Sequence, residues 1–114
     1  MRISEIATAV NGEIICGGQH LDDHVETAFA SDLMSDVLTV KLQDILLITG
    51  LSNIQSIRTA EMSDIKYVMI VRNKAVDAGM VELAEENDMV LIRSPYSMFK
   101  ASGILYQTGL KPVY

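Results

Sequence analysis

The chain predicts an α/β fold, a mainly parallel central sheet in a two-layer or three-layer domain, and three observations carry that prediction. Apolar runs of strand length fall at Ile45 to Thr49, Tyr67 to Val71 and Met89 to Ile92, starting about twenty residues apart. Each run is followed by a segment of helical periodicity, a spacing that suits right-handed crossovers between parallel strands rather than hairpins of long strands. Nearly half of the 114 residues are hydrophobic and none is tryptophan, so the core is expected to consist of Ile, Val, Leu, Met and Ala.

The elements follow in order. Ser4 stands where a helix N-cap is expected, with Ile6, Ala7 and Val10 at helical spacing behind it and Gly12 as a stop. Glu13 to Cys16 reads as a brief strand, Gly17 to Asp23 as a turn-rich connection, and Val25 to Ala30 as a second strand. Ser31 or Asp32 is the expected cap of a short helix carrying Leu33, Met34, Val37 and Leu38.

Ile45 to Thr49 is the run around which the rest is arranged, for it fits a strand buried on both faces. Gly50 ends it, and Ser52 or Asn53 caps a helix with Ile54, Ile57 and Met62 near one face and Gln55, Arg58 and Glu61 outward. Val76 to Asn87 and Ser97 to Gln107 supply the next two helices, the second introduced by Ser94 and Pro95 and ended by Gly109 and Pro112. Three central parallel strands are expected. The amino-terminal strands either extend that sheet or form a small layer against it.

Length and charge narrow the function classes. A chain of 114 residues is expected to make one domain, 1–114, with a single core. A formal net charge of −6 argues against nucleic-acid binding, which requires a basic face. The lone cysteine, Cys16, excludes an intrachain disulfide and fits a small buried hydrophobe in a cytoplasmic protein. The start lacks the apolar core of a signal peptide, and no run reaches the length of about 18 apolar residues that spans a bilayer.

The candidate site is the edge where the parallel strands end. The loop Gly50, Leu51, Ser52, Asn53 lacks the second glycine and the lysine of a phosphate loop, and read alone it is a turn with an N-cap. Arg72 and Arg93, however, each fall at the carboxyl end of a predicted strand on the same edge as Gly50. Beside a helix N-terminus they either hold a phosphate or carboxylate through bidentate hydrogen bonds or pair with Asp32, Asp36 or Glu61. Ser94 and Tyr96 follow the last strand, with Tyr96 placed either to cover a ligand such as a nucleobase or to cover the core edge. His20 and His24 are four apart beside Asp22 and Asp23, but such a spacing converges on a metal only on a helix and this segment reads as loop, so no metal site is expected. No histidine or serine has a visible activator, and no catalytic residues are assigned.

From Asp44 through Ala101 the chain resembles a DRTGG domain, in the strand DILLITG, the helix SNIQSIRTAE, the strand and acidic helix after it, and RSPYSMFKA. Residues 1–40, with ISEIATAVNGEII and a later ASD, are similar to the amino-terminal domain of HPr kinase. Where many members carry Gly-Asp-Arg after the central strand, this chain carries Gly50, Leu51 and Ser52. The resemblance implies an HPr kinase N-terminal-domain-like fold and a regulatory rather than catalytic role, without a cofactor; the phosphate loop of the kinase's catalytic domain is missing. The expected function is therefore a cytoplasmic, homodimeric regulatory module that binds an anionic small molecule or nucleotide at the carboxyl edge. The alternative is a non-catalytic interaction subunit whose ligand is a partner protein.

Overall fold

A computed structural model describes residues 1–114. It contains helices α1 (Ile3–Ala9), α2 (Met34–Val37), α3 (Ile54–Met62), α4 (Ala78–Glu86) and α5 (Met98–Thr108), with a 3-10 turn at Gly18–His20. The strands are β1 (Glu13–Cys16), β2 (Thr27–Ala30), β3 (Ile45–Thr49), β4 (Tyr67–Ile70), β5 (Val90–Arg93) and β6 (Lys111–Pro112).

All six strands join one sheet in the order β1-β5-β4-β3-β2-β6. The pairs β5–β4, β4–β3, β3–β2 and β2–β6 are parallel, and β1 alone runs antiparallel, against β5. The three central parallel strands thus stand where the sequence puts them, and the amino-terminal strands extend the sheet at both sides. No helix is long and apolar enough to cross a membrane.

The continuous apolar runs are explained by burial on two faces. Leu46 and Ile48 of β3, Tyr67 and Met69 of β4, and Val90 and Ile92 of β5 meet Ile3, Ile6 and Val10 of the first helix region and Ala101 and Leu105 of α5. The alternate residues Ile45, Leu47, Val68, Ile70 and Leu91 meet Val37, Ile57, Ala60, Met80 and Ala84 from α2, α3 and α4. Alternation along each strand sends successive side chains to opposite layers, so the arrangement is three-layered.

Several local expectations are corrected. Helix α1 begins before Ser4, because the Arg2 N–H donates to the Glu5 carboxylate at 2.8 Å and Arg2 itself occupies the cap position. Asn11, with φ 53°, takes the left-handed position that ends α1, and Gly12 follows it; a Cβ at Gly12 would lie 2.9 Å from Ile92. Neither Ser31 nor Asp32 caps α2, which starts from Leu33; Ser31 Oγ accepts the Leu33 N–H at 3.0 Å in a turn instead. Helix α3 packs through Ser56, Ile57, Thr59 and Ala60, while Ile54 is 41% and Met62 61% exposed. Small residues let this helix lie close to the sheet, and its two terminal apolar residues overhang the contact. Helix α4 starts later than Val76, since Asp77 Oδ1 accepts the Met80 N–H at 2.9 Å and fixes its first turn.

Candidate functional site

The register of the parallel strands sets Ala30 beside Ile48, Thr49 beside Ile70 and Ile70 beside Arg93, which aligns the carboxyl ends of four strands along one edge. Gly50 follows β3 directly. Its N–H donates to Asp32 Oδ1 at 2.6 Å, and the Thr49 hydroxyl donates to the same oxygen at 3.1 Å. Asp32 is therefore the anchor of the β3 end, a role sequence reasoning missed. The legible signals were Thr49, the one polar residue closing an apolar run, and an aspartate just past the neighbouring strand.

Beyond Gly50, the Leu51 N–H donates to Thr49 Oγ1 at 3.1 Å. Ser52 Oγ donates to the Ala75 carbonyl, which ties this loop to the one after β4. Asn53 is the cap of α3, its Oδ1 accepting the Ser56 N–H at 3.1 Å. The nine-residue helix thus presents its amino end at the strand edge.

Arg72 lies across this loop. A Cβ at Gly50 would stand 3.0 Å from Arg72 Nε and 3.2 Å from Nη2, so the guanidinium rests against the glycine where no side chain intervenes. Arg72 is exposed and forms no ion pair, and its N–H donates to the Tyr96 carbonyl at 2.7 Å. Its backbone is left-handed, with φ 65°, followed by Asn73 at φ 54°. Six non-glycine residues have positive φ, and five are Asn or Asp, the types that tolerate it: Asn11, Asp44, Asp64, Asn73 and Asp88. Arg72 is the sixth.

Arg93 and Ser94 are placed differently from Arg72. Arg93 Nε donates to the Lys74 carbonyl at 2.9 Å and Nη2 to the Asn73 carbonyl at 3.2 Å, with Glu13 4.0 Å away, so it braces the loop that carries Arg72. Neither arginine pairs with Asp32, Asp36 or Glu61. Ser94 is fully buried and donates to the Val10 carbonyl at 2.8 Å, while its Oγ accepts the Tyr96 N–H at 3.2 Å. The Tyr96 ring is half-buried and has Lys100 Nζ 3.9 Å from its centroid. Gly50, Arg72 and Tyr96 are therefore brought together, with Arg93 and Ser94 supporting them from beneath.

The family model for the DRTGG domain matches residues 5–108. The chain belongs to the DRTGG domain family. No curated protein matches it. Among solved structures it is similar to the crystal structure of the CBS and DRTGG domains of the regulatory region of Clostridium perfringens pyrophosphatase complexed with its activator, diadenosine tetraphosphate. That likeness has a TM-score of 0.77 at 13% identity and covers 96% of this chain and 47% of the other, so it bears out the fold. The DRTGG chain described here spans about half the length of that regulatory region.

The opposite edge of this DRTGG domain holds a second polar constellation. His20 Nδ1 lies 3.1 Å from Asp23 and Nε2 2.8 Å from Asp88, and Gln19 donates to Asp88 at 3.0 Å. The Tyr67 hydroxyl donates to Asp23 at 2.7 Å, and Lys66 Nζ lies 3.6 Å from Asp23 and 3.8 Å from Asp88. The hydrogen bond from Tyr67 holds the Asp23 carboxyl below its ordinary range, and those from His20 and Gln19 do the same for Asp88. Burial pushes the Tyr67 hydroxyl and the Cys16 thiol up.

Proposed function

We propose that the chain is a cytoplasmic regulatory module, one DRTGG-type unit over residues 1–114, that senses an anionic small molecule of the nucleotide or phosphate class at its carboxyl edge. The observation that carries this reading is Arg72. It is an exposed guanidinium without a carboxylate partner, held in a backbone conformation that an arginine adopts only at a cost of about 1–2 kcal/mol, beside a helix amino end. Such strain persists where the surroundings enforce it, and here Arg93 and the Tyr96 carbonyl do so.

In this reading Arg72 grips the anion, the loop Gly50, Leu51, Ser52, Asn53 supplies its floor, and Tyr96 flanks the organic part of the ligand. The edge is an open shelf; the surface cavities lie elsewhere, which suits a reversible sensor better than an enclosed cofactor site. The activator named for the Clostridium perfringens regulatory region supports the nucleotide class. A non-catalytic role is supported by the hydroxyls at this edge, because Ser52 and Ser94 are both engaged by backbone carbonyls. The module works as a homodimer whose contact responds to the ligand, which requires that the ligand prefer one state.

A thermal-shift screen of nucleotides, dinucleoside polyphosphates, acyl phosphates and simple anions tests the reading, since a ligand of the native state raises stability by mass action. A shift present in the wild type and absent in Arg72→Glu is the expected result. A flat screen at millimolar concentration would favour the interaction subunit. Leu33, Leu38, Leu42 and Met62, all at least 44% exposed, are the observation that favours that second reading.

A further inference from the structure

Helix α5 faces the core with Ala101 and Leu105, yet its other side carries Phe99 at 89% and Tyr106 at 68% exposure. These two aromatics are seven residues apart, two turns and roughly 10 Å along one face. Between them lie Ser102 and Gly103, and the space where a Gly103 side chain would stand is empty out to 4 Å. The face is thus a ring, a low saddle and a second ring.

Beside Tyr106 opens a cleft of about 190 Å³, mostly apolar, lined by Ala28, Ala30, Ser102, Leu105 and Pro112 among others. A cavity of about 150 Å³ accommodates benzene, so the cleft admits a phenyl ring. Phe99 is a ring without a pocket, and the cleft is a pocket without a ring. Both belong to one helix and its immediate flank.

We infer that the α5 face is the self-association surface of this protein, with a second copy of the chain as its occupant. A two-fold axis through Ser102 and Gly103 sets two α5 helices antiparallel. Because Phe99 and Tyr106 are equidistant from that midpoint, each copy's Phe99 then falls beside Tyr106 of the other and enters its cleft. The same contact is made twice and closes on itself, as an isologous dimer requires. Four aromatic rings bury on the order of 700 Å², and the flanking backbone and cleft walls bring the contact to about the 1,000 Å² that a specific interface needs.

Charge agrees with this choice. The chain carries −6, but α5, MFKASGILYQT, has no acidic residue, so two copies meet here without the carboxylate repulsion expected on the acidic face of α4; the cations nearby are Lys100, whose Nζ lies over its own Tyr96 ring, and Lys111 on the wall of the cleft. The inference rests on the dimeric part of the proposed function and uses none of the residues of its anion site. The two are nevertheless connected, since Tyr96, which takes the Arg72 N–H, lies two residues before α5.

Sedimentation of the full chain at about 100 µM, where a modest dimer is populated by mass action, makes the first test. The expected result is a dimer in the wild type and at least tenfold weaker association in Phe99→Ser, with an unchanged melting temperature at concentrations low enough for both to be monomers, where Phe99 is exposed. Gly103→Cys keeps both aromatics and puts a thiol at the axis; mild oxidation should link it into a dimer, with the buried Cys16 remaining unlinked. A monomeric wild type, a dimer indifferent to Phe99→Ser, or a dimer that Gly103→Cys fails to link would each overturn the inference. An anion-induced thermal shift that persists in Phe99→Ser, even if changed in size, would separate failure of this surface from failure of the ligand site.

Discussion

The two edges of the sheet hold comparable numbers of charged groups but treat them in opposite ways. At the amino edge, His20, Asp23, Lys66 and Asp88 are all engaged with one another within 4 Å, and Tyr67 completes the set. At the carboxyl edge, Asp32 is bonded to backbone and hydroxyl groups, Arg93 to carbonyls, and Arg72 to no charged group at all. The amino edge is arranged for holding the chain together. The carboxyl edge leaves Arg72 and Lys74 of one loop without a carboxylate partner, and of these Arg72 alone stands on a left-handed backbone, which is the feature the proposed anion site rests on.

If that contrast is right, removing an amino-edge group affects stability first. Asp23→Ala strips the acceptor from the buried Tyr67 hydroxyl and from His20 and Lys66, and should destabilise by about 1–3 kcal/mol, read from the urea midpoint. Any anion-induced thermal shift at the other edge should survive. Acid sharpens the same point. The Asp23 and Asp88 carboxyls are held below their ordinary values, so on acidification the unfolded chain takes up protons first. Their stabilisation is present above the ordinary carboxylate pKa of about 3.9 and is lost as pH falls through the lower folded values. The stability gap between wild type and Asp23→Asn should therefore be wide at pH 7 and narrow towards pH 2, and a gap constant across that range would contradict the network.

At the carboxyl edge the sign reverses. Arg72→Gly relieves a left-handed arginine and should stabilise by about 1 kcal/mol, or raise the melting temperature by about 4 °C, while removing the anion response. Arg72→Gln separates the two effects, because glutamine keeps the unfavourable left-handed backbone but has no guanidinium, so the anion response should go without the gain in stability. Loss of stability in Arg72→Gly would mean that the side chain is a structural brace and would sink the comparison.

The sheet was readable in the sequence because its central strands are buried on both faces, which leaves continuous apolar runs with little else to mistake them for. Asn53 as one of the two expected caps of α3, and Gly50 and Arg72 at strand ends, followed from the same local rules, whereas Asp77, read inside its helix, is the cap of α4. The roles of Arg93, Ser94 and Asp32 did not. Each bonds to a group about twenty to eighty residues away, Lys74, Val10 and Gly50 respectively, and which neighbour a strand-end side chain meets depends on loop paths that carry no periodicity. The cap errors at Ser4 and Ser31 have a related origin. A serine near a helix start is a good cap only if the chain does not already supply another partner, and here Glu5 closes the first turn of α1 and Leu33 opens α2.

The smallest effect tests whether backbone strain alone distinguishes the edges. Asp64 and Asp88 both have left-handed φ, 57° and 55°, at the ends of α3 and α4. In each case the next residue's N–H reaches back to a helix carbonyl, Ile65 to Ala60 at 2.8 Å and Met89 to Ala84 at 2.9 Å, the pattern that closes a helix through a left-handed residue. Aspartate tolerates that conformation better than arginine, so Asp64→Gly should gain only about 0.5 kcal/mol. Asp88→Gly should lose stability despite the same φ, because it also removes the acceptor for His20 and Gln19. Thermal melts of the two variants beside Arg72→Gly should rank Arg72 first, Asp64 second and Asp88 negative. Equal gains at Arg72 and Asp64 would leave nothing special in the carboxyl-edge backbone, and the case for an anion site would then rest on the exposed guanidinium alone.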